Sequence, residues 1–166
     1  MLRKTFFVFA AILAIASVAA AQDHANYSGK WALSHGRSDF GSGEPLSQRI
    51  DTITIDGAHF TDVIHATGKE GDDDYTIELT TDGKEVAVPD NSPLSINGIL
   101  TMTKIAAKWK GNTLVLTETF TNTYQPGENK STVSYSLSPD GSLLNITSKS
   151  DSPFGLAATK LVFEKL

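Results

Sequence analysis

Thr113-Leu114-Val115-Leu116-Thr117-Glu118-Thr119-Phe120-Thr121-Asn122-Thr123-Tyr124 is the stretch of this sequence with the plainest periodicity. Leu114, Leu116, Phe120 and Tyr124 fall on one face of an extended chain, and Thr113, Thr117, Thr119, Thr121 and Thr123 fall on the other. Threonine suits the wet face of a half-buried sheet, because its branched Cβ restricts χ1 while its hydroxyl still meets water. Glu118 shares the phase of Leu114, Leu116 and Phe120, so the same periodicity aims a carboxylate at the apolar side. A carboxylate there has its pKa raised by desolvation unless it is paired, for instance with Arg49 or a lysine. Its bland alternative is a place near a wet rim.

The pattern extends through the chain. Tyr75, Ile77 and Leu79 point inward on one strand, Val133, Tyr135 and Leu137 on another, Leu144 and Ile146 on a third, and Leu161 and Phe163 on the last. Asp56-Gly57, Asp82-Gly83, Gly111-Asn112, Pro126-Gly127 and Pro139-Asp140-Gly141 supply the positive or preset φ of tight hairpin turns. Ten strands are expected, at 28–34, 48–56, 59–67, 73–81, 84–88, 98–109, 113–123, 130–138, 142–149 and 158–165. No stretch of the chain after residue 21 has a helical period. An open meander of this length leaves two unpaired edges and an uncovered apolar face, whereas closing the sheet gives all the apolar faces one interior. The expected fold is therefore all-β, an antiparallel up-and-down β-barrel of about 8–10 strands, with a two-sheet β-sandwich as the alternative. Two longer connections, Gly36 to Ser47 and Pro89 to Gly98, would lie over an open end of such a barrel or serve as plain irregular links.

The 166 residues carry 14 Lys and Arg against 19 Asp and Glu and no cysteine, for a net charge of −5. Residues 1–21 differ from the rest: Arg3 and Lys4 precede an apolar run, Phe6 to Val18, that ends in Ala19-Ala20-Ala21. This is the composition of a secretory signal peptide, too short for a membrane span of ~20 residues. Cleavage after Ala21 leaves a single domain, 22–166, and removing Arg3 and Lys4 takes the charge from −5 to −7. An acidic domain with no basic run excludes a nucleic-acid footprint. An exported domain without cysteine points to a bacterial periplasmic or extracellular setting, because exported eukaryotic domains of this size commonly carry disulfides.

Catalytic and cofactor signatures are absent. There is no nucleophile elbow, zinc helix, phosphate loop or dinucleotide fingerprint, so no cofactor is expected. His59 and His65 stand ~20 Å apart on one proposed strand, too far to share a metal without His24 or His35 folding in, and no metal site is expected. Asp72-Asp73-Asp74 lacks the spaced oxygen ligands of a calcium loop and reads as a solvated acidic turn.

Tyr27-Ser28-Gly29-Lys30-Trp31-Ala32-Leu33 places Gly-x-Trp on the first strand of this meander. Together with Ser38-Asp39-Phe40-Gly41, Thr81-Asp82-Gly83-Lys84-Glu85, Lys108-Trp109-Lys110-Gly111-Asn112-Thr113-Leu114, Leu137-Ser138-Pro139-Asp140-Gly141 and Leu161-Val162-Phe163-Glu164-Lys165, it resembles the lipocalin and fatty-acid-binding-protein group, and within it the lipocalin-like, calycin-type secreted proteins of bacteria. The resemblance implies that Trp31 packs across the closed end of the barrel with a basic side chain from near the last strand lying on it; Lys160 and Lys165 are the candidates. It also implies non-covalent binding of a small, largely apolar molecule. The inward phase supplies the candidate lining: Tyr75, Ile77, Leu79, Leu114, Leu116, Glu118, Phe120, Val133, Tyr135, Leu144, Ile146 and Phe163. Two alternatives stand beside binding: a filled barrel acting as a structural or protein-interaction envelope protein, and a barrel enzyme using Glu118 with a histidine or Tyr135. No second positioned catalytic group accompanies Glu118, so binding is preferred over catalysis.

Overall fold

The computed structural model describes residues 24–69, 71–89, 100–123, 125–150 and 158–166. The proposed signal segment and its cleavage site, Tyr124 and most of the connection at 89–98 lie outside them. Ten strands follow in order: β1 Gly29–Leu33, β2 Gln48–Asp56, β3 His59–Gly68, β4 Gly71–Thr80, β5 Val86–Ala87, β6 Leu100–Lys110, β7 Thr113–Asn122, β8 Gln125–Leu137, β9 Leu143–Ser150 and β10 Thr159–Lys165. All pair antiparallel in one sheet of order β4-β3-β2-β1-β10-β9-β8-β7-β6-β5. Every neighbour is consecutive in the chain except β1 and β10, whose ladder turns the meander into a nearly closed barrel rather than a sandwich. Among the described residues no ladder joins β4 to β5, although β4 lies against β6.

The closing ladder pairs Trp31 with Lys165, Ala32 with Glu164 and Leu33 with Phe163. It is prolonged on one side by Leu166, whose N–H donates to the Lys30 carbonyl at 2.9 Å, and on the other by the Asp39–Lys160 bridge. Trp31 is fully buried, and its indole N–H donates to the Tyr27 carbonyl at 2.9 Å. The Lys165 ammonium stands 5.4 Å from the Trp31 ring centroid, so of the two basic candidates it is Lys165 that covers the tryptophan. Gly29 makes this possible. Its φ is +146°, and a Cβ there would come within 3.1 Å of Lys165 Cε. The Tyr27 hydroxyl, within hydrogen-bond reach of the carbonyls of Asn112 and Tyr135, ties the chain preceding β1 to the β6–β7 turn and to β8. This is the closed end.

Two details depart from the sequence reading. Pro126-Gly127 is no turn: β8 already runs from Gln125, paired with Asn122 after a register shift, and the chain reverses just before it. A proline lacks only a backbone N–H, which the start of a strand beside an irregularity can spare. Asp72, Asp73 and Asp74 likewise belong to β4, paired with Thr67, Ala66 and His65, and the turn lies earlier, between Gly68 and Gly71. Their side chains are exposed, so the strand extension costs no carboxylate burial.

Substituting Gly29 by valine is expected to lower the unfolding free energy by about 1–3 kcal/mol, because a branched residue is forced to a glycine backbone conformation and into the Lys165 stem. Urea denaturation followed by Trp fluorescence measures it, and an unchanged midpoint would contradict this account of the Gly-x-Trp motif.

Candidate functional site

The interior divides along the barrel axis. Toward the closed end Trp31, Phe60, Leu114, Leu144 and Phe163 have no exposed surface, and Tyr135 has 1%. A side chain bordering a water-sized void keeps some accessible area, so these residues pack solidly against one another. Tyr135 spans the middle. Its ring meets Phe60 edge-on with centroids 5.4 Å apart, and its hydroxyl donates across the barrel to Asp62 Oδ2 at 3.1 Å. A strand on one wall thus touches β3 on the opposite wall.

Around this brace lies a buried polar cluster. Arg49 and Asp51 are two residues apart on β2, and the guanidinium makes a two-pronged ion pair, Nε to Oδ1 at 2.7 Å and Nη2 to Oδ2 at 2.8 Å. Asp51 is fully buried and the Arg49 side chain 12% exposed. The guanidinium also rests over the Phe163 ring, 5.4 Å from its centroid. Burial alone would lower the pKa of Arg49, but the adjoining Asp51 carboxylate, together with Tyr75 and Tyr135, outweighs it and holds the value above the ordinary one. Asp62 has no such cation to itself. Burial first, and the Asp51 charge second, push it from 3.8 to about 8, against the opposing influence of Arg49 and the Tyr135 hydroxyl. Its Oδ1 is buried and has no hydrogen-bond partner among the described residues. Burial also raises Tyr75 and Tyr135, which keeps both phenols as donors.

Glu118 is a third buried carboxylate, 8% exposed and opposite Ser131 in the β7–β8 ladder. Burial raises it from 4.5 to about 7, with the Ser131 hydroxyl working the other way. It faces the interior, as its phase requires, rather than a wet rim. Its partner is not Arg49, which Asp51 occupies.

Where the barrel opens, between the 38–47 connection and the β3–β4 turn, Glu44, Pro45, Leu46, Arg49, Ala66, Gly68, Lys69, Gly71, Asp73 and Tyr75 line a pocket of about 290 Å³. Arg49 and Tyr75 belong both to this pocket and to the charged cluster. A pocket of about 350 Å³ at the other end, around Asn112 and Pro139, is bordered by turns and contains no buried charged group.

The residues named in the sequence reading are therefore distributed as follows. All of the candidate lining lies in the barrel's apolar phase. Leu114, Leu116, Tyr135, Leu144 and Phe163 are packed at 0–1% exposure, Ile77, Leu79, Phe120 and Ile146 keep a few per cent, and Tyr75 and Val133 are half-buried. Tyr75 alone of that set reaches the mouth pocket. His35, His59 and His65 are exposed, and among the described residues no three His, Cys, Asp or Glu side chains converge as a metal site would require. Glu118 and Tyr135 lie four ladder positions apart, ~13 Å, too far for one to assist the other directly. Arg49, Asp51 and Asp62 form the centre of the site, and the sequence reading assigns none of them to it. The signal that marks Glu118 also marks them: Arg49 and Asp51 share the phase of Ile53, and Asp62 that of Phe60 and Ile64.

The fold, a nearly closed antiparallel β-barrel, is similar to that of the lipocalin and fatty-acid-binding type. Two solved structures share it: secretory abundant heat soluble protein 4 from Ramazzottius varieornatus, 14% identical with TM-score 0.52 over 84% of this chain and 94% of that one, and the zebrafish ileal bile acid-binding protein complexed with cholic acid, 17% identical with TM-score 0.50 over 84% and 98%. No protein-family model matches the sequence, and no curated protein matches it.

Two outcomes are expected of the cluster. The folded-state pKa values of Asp62 and Glu118 lie above the unfolded ones, so the folded protein holds their protons more tightly and stability falls as pH rises, through about 4 to 8 for Asp62 and about 4.5 to 7 for Glu118. Urea midpoints should therefore decline up to about pH 8, and Asp62→Asn should level the stretch between pH 7 and 8; a wild-type midpoint that climbs there contradicts the assignment. Secondly, Arg49→Met strands the Asp51 carboxylate and should cost about 3–5 kcal/mol, most of it recovered in Arg49→Met with Asp51→Leu. A double variant no more stable than the single one would show that Asp51 is satisfied by something else.

Proposed function

We propose that this chain is an exported bacterial binding protein that holds a small, largely apolar molecule at the open end of its barrel. The observation that carries the reading is the mouth pocket. It is lined by Pro45, Leu46 and Ala66 together with the charged side chains of Glu44, Lys69 and Asp73, and by Arg49 and Tyr75, which also belong to the buried cluster. Apolar surface with convergent polar groups is the chemistry of small-molecule sites. At about 290 Å³ it lies at the small end of the usual range of about 300–1,000 Å³, so it suits a small ligand or one end of a longer one. A neighbour of the same fold in complex with cholic acid supports the reading at the level of architecture. Export rests on Arg3, Lys4, the Phe6 to Val18 run and the Ala19-Ala20-Ala21 stretch, and places the mature domain in the periplasm or outside the cell.

Titration with the neutral probe N-phenyl-1-naphthylamine tests the site. Saturable fluorescence enhancement is expected, and Ala66→Trp, which fills the mouth, should weaken it at least tenfold. Equal affinity in the variant would move binding elsewhere. Export is checked by N-terminal sequencing of protein recovered outside the cytoplasm of a bacterial host, where Gln22 is expected as the first residue; a chain still beginning at Met1 would contradict it.

A further inference from the structure

We infer that the polar end of the ligand is a primary ammonium, received by Asp62 beneath the mouth pocket. The inference rests on the binding function proposed above and adds the ligand's chemical class. It starts from a charge count. Among the described residues the barrel interior holds three buried carboxylates, Asp51, Asp62 and Glu118, and one cation, Arg49. Arg49 is already committed: two of its N–H groups are spent on both oxygens of Asp51, and its face lies on Phe163. Asp62 is fully buried, takes one hydrogen bond from Tyr135 and leaves Oδ1 with no partner. A buried carboxylate oxygen without a donor is costly in the ionised form, and in the acid form its proton has nothing to donate to. In the ionised form, which an incoming cation favours, the site lacks a donor, and preferably a charged one.

An ammonium supplies both. One N–H meets Asp62 Oδ1, and the positive charge balances the second carboxylate of the Arg49–Asp51–Asp62 group. A ligand carboxylate would instead have to share Arg49 with Asp51, through the guanidinium N–H groups that Asp51 does not use, and enter beside a second buried acid. Asp62 is not itself among the pocket's lining residues, and the mouth side is where it comes nearest: Tyr75 lines the pocket and faces Ile64 in the β3–β4 ladder, whereas Asp62 faces Ile77, so Tyr75 and Asp62 are diagonal neighbours with Cα atoms ~7–8 Å apart. The apolar body of the ligand would lie along Ala66, Leu46 and Pro45. The charged and titratable groups around Asp62 are Arg49 and Asp51 from β2, Tyr75 from β4 and Tyr135 from β8, and none of them supplies the missing positive charge.

Isothermal titration of the purified protein at pH 7 with dodecylamine, dodecanol and dodecanoate, each below its micellar concentration, decides the matter. Dodecylamine is expected to bind at least tenfold more tightly than dodecanoate, and to release about one proton, read from the dependence of the heat on buffer, as a mostly protonated Asp62 ionises. Asp62→Asn should abolish both the preference and the proton release, while Glu78→Gln, on the exposed face of β4, should keep both. A preference for dodecanoate, equal affinity for the two, or loss of the preference in Glu78→Gln and not in Asp62→Asn overturns the inference. The wild-type comparison stands even where a variant folds poorly. If dodecanol and dodecanoate bind and dodecylamine does not, the binding function survives without its ammonium; if none of the three binds, both fall together.

Discussion

The ladder between β1 and β10 is the constraint from which the rest of this molecule follows. β1 is five residues long and pairs with β10 at three positions, yet without it the described strands would fall into two meanders, β1–β4 and β5–β10, with their apolar faces uncovered. Closing it makes one interior out of ten faces and removes two of the edges at which such a sheet would otherwise associate with another. The ladder is held from inside by Trp31, whose indole is anchored to the Tyr27 carbonyl and covered by Lys165. The covering depends on a residue without a side chain. Gly29 gives the Lys165 stem its path to the ring, which is a physical reason for a glycine two residues before the tryptophan.

Closure also creates the polar problem that the interior has to solve. Inward positions on β2 and β3 carry Arg49, Asp51 and Asp62, and once the sheet curves round the two aspartates are cut off from water while Arg49 keeps a small exposed edge at the mouth pocket. Arg49 and Asp51 satisfy each other along a single strand. Asp62 is satisfied only in part, by a tyrosine that crosses the barrel from β8, and its second oxygen is left unpaired. Solid packing at the closed end, around Trp31, Phe60, Leu114, Leu144 and Phe163, supplies the stability that lets the other end carry an unsatisfied carboxyl group. Division of a barrel into a structural half and a polar half is what a binding protein needs, because unpaired groups are useful only where a ligand can pair with them.

Much of the fold was legible in the sequence because each strand is amphipathic on its own. Thr113 to Asn122 announces its two faces without help from any other strand, and Asp56-Gly57 or Gly111-Asn112 announce their turns through local backbone preference. The misreadings arose where one residue type serves two roles. Pro126 marks a turn in most sequences but begins a strand here, beside a register shift, and the three aspartates at 72–74 are strand residues whose side chains stay in water. Glu118 was legible as a carboxylate in the inward phase, but the phase left a wet-rim position open until its burial was seen. Arg49, Asp51 and Asp62 carried the same phase signal, but a charged residue in phase with isoleucine or phenylalanine is ambiguous until the curvature of the sheet decides whether its end of the strand is buried.

The sequence by itself determined the alternation, the turns, the strand count and an antiparallel sheet with one apolar side, because these depend on the chain's local stereochemistry and on the solubility of each side chain. Only the tertiary structure decided that Tyr135 reaches Asp62, that Lys165 rather than Lys160 lies on Trp31, that Arg49 belongs to Asp51 and that Asp62 is left with a bare oxygen. The first, second and last of these are contacts between strands remote in sequence, and the ion pair, though local, is buried only because the sheet closes around it. Their geometry is set by how tightly the barrel curves, which no single strand encodes.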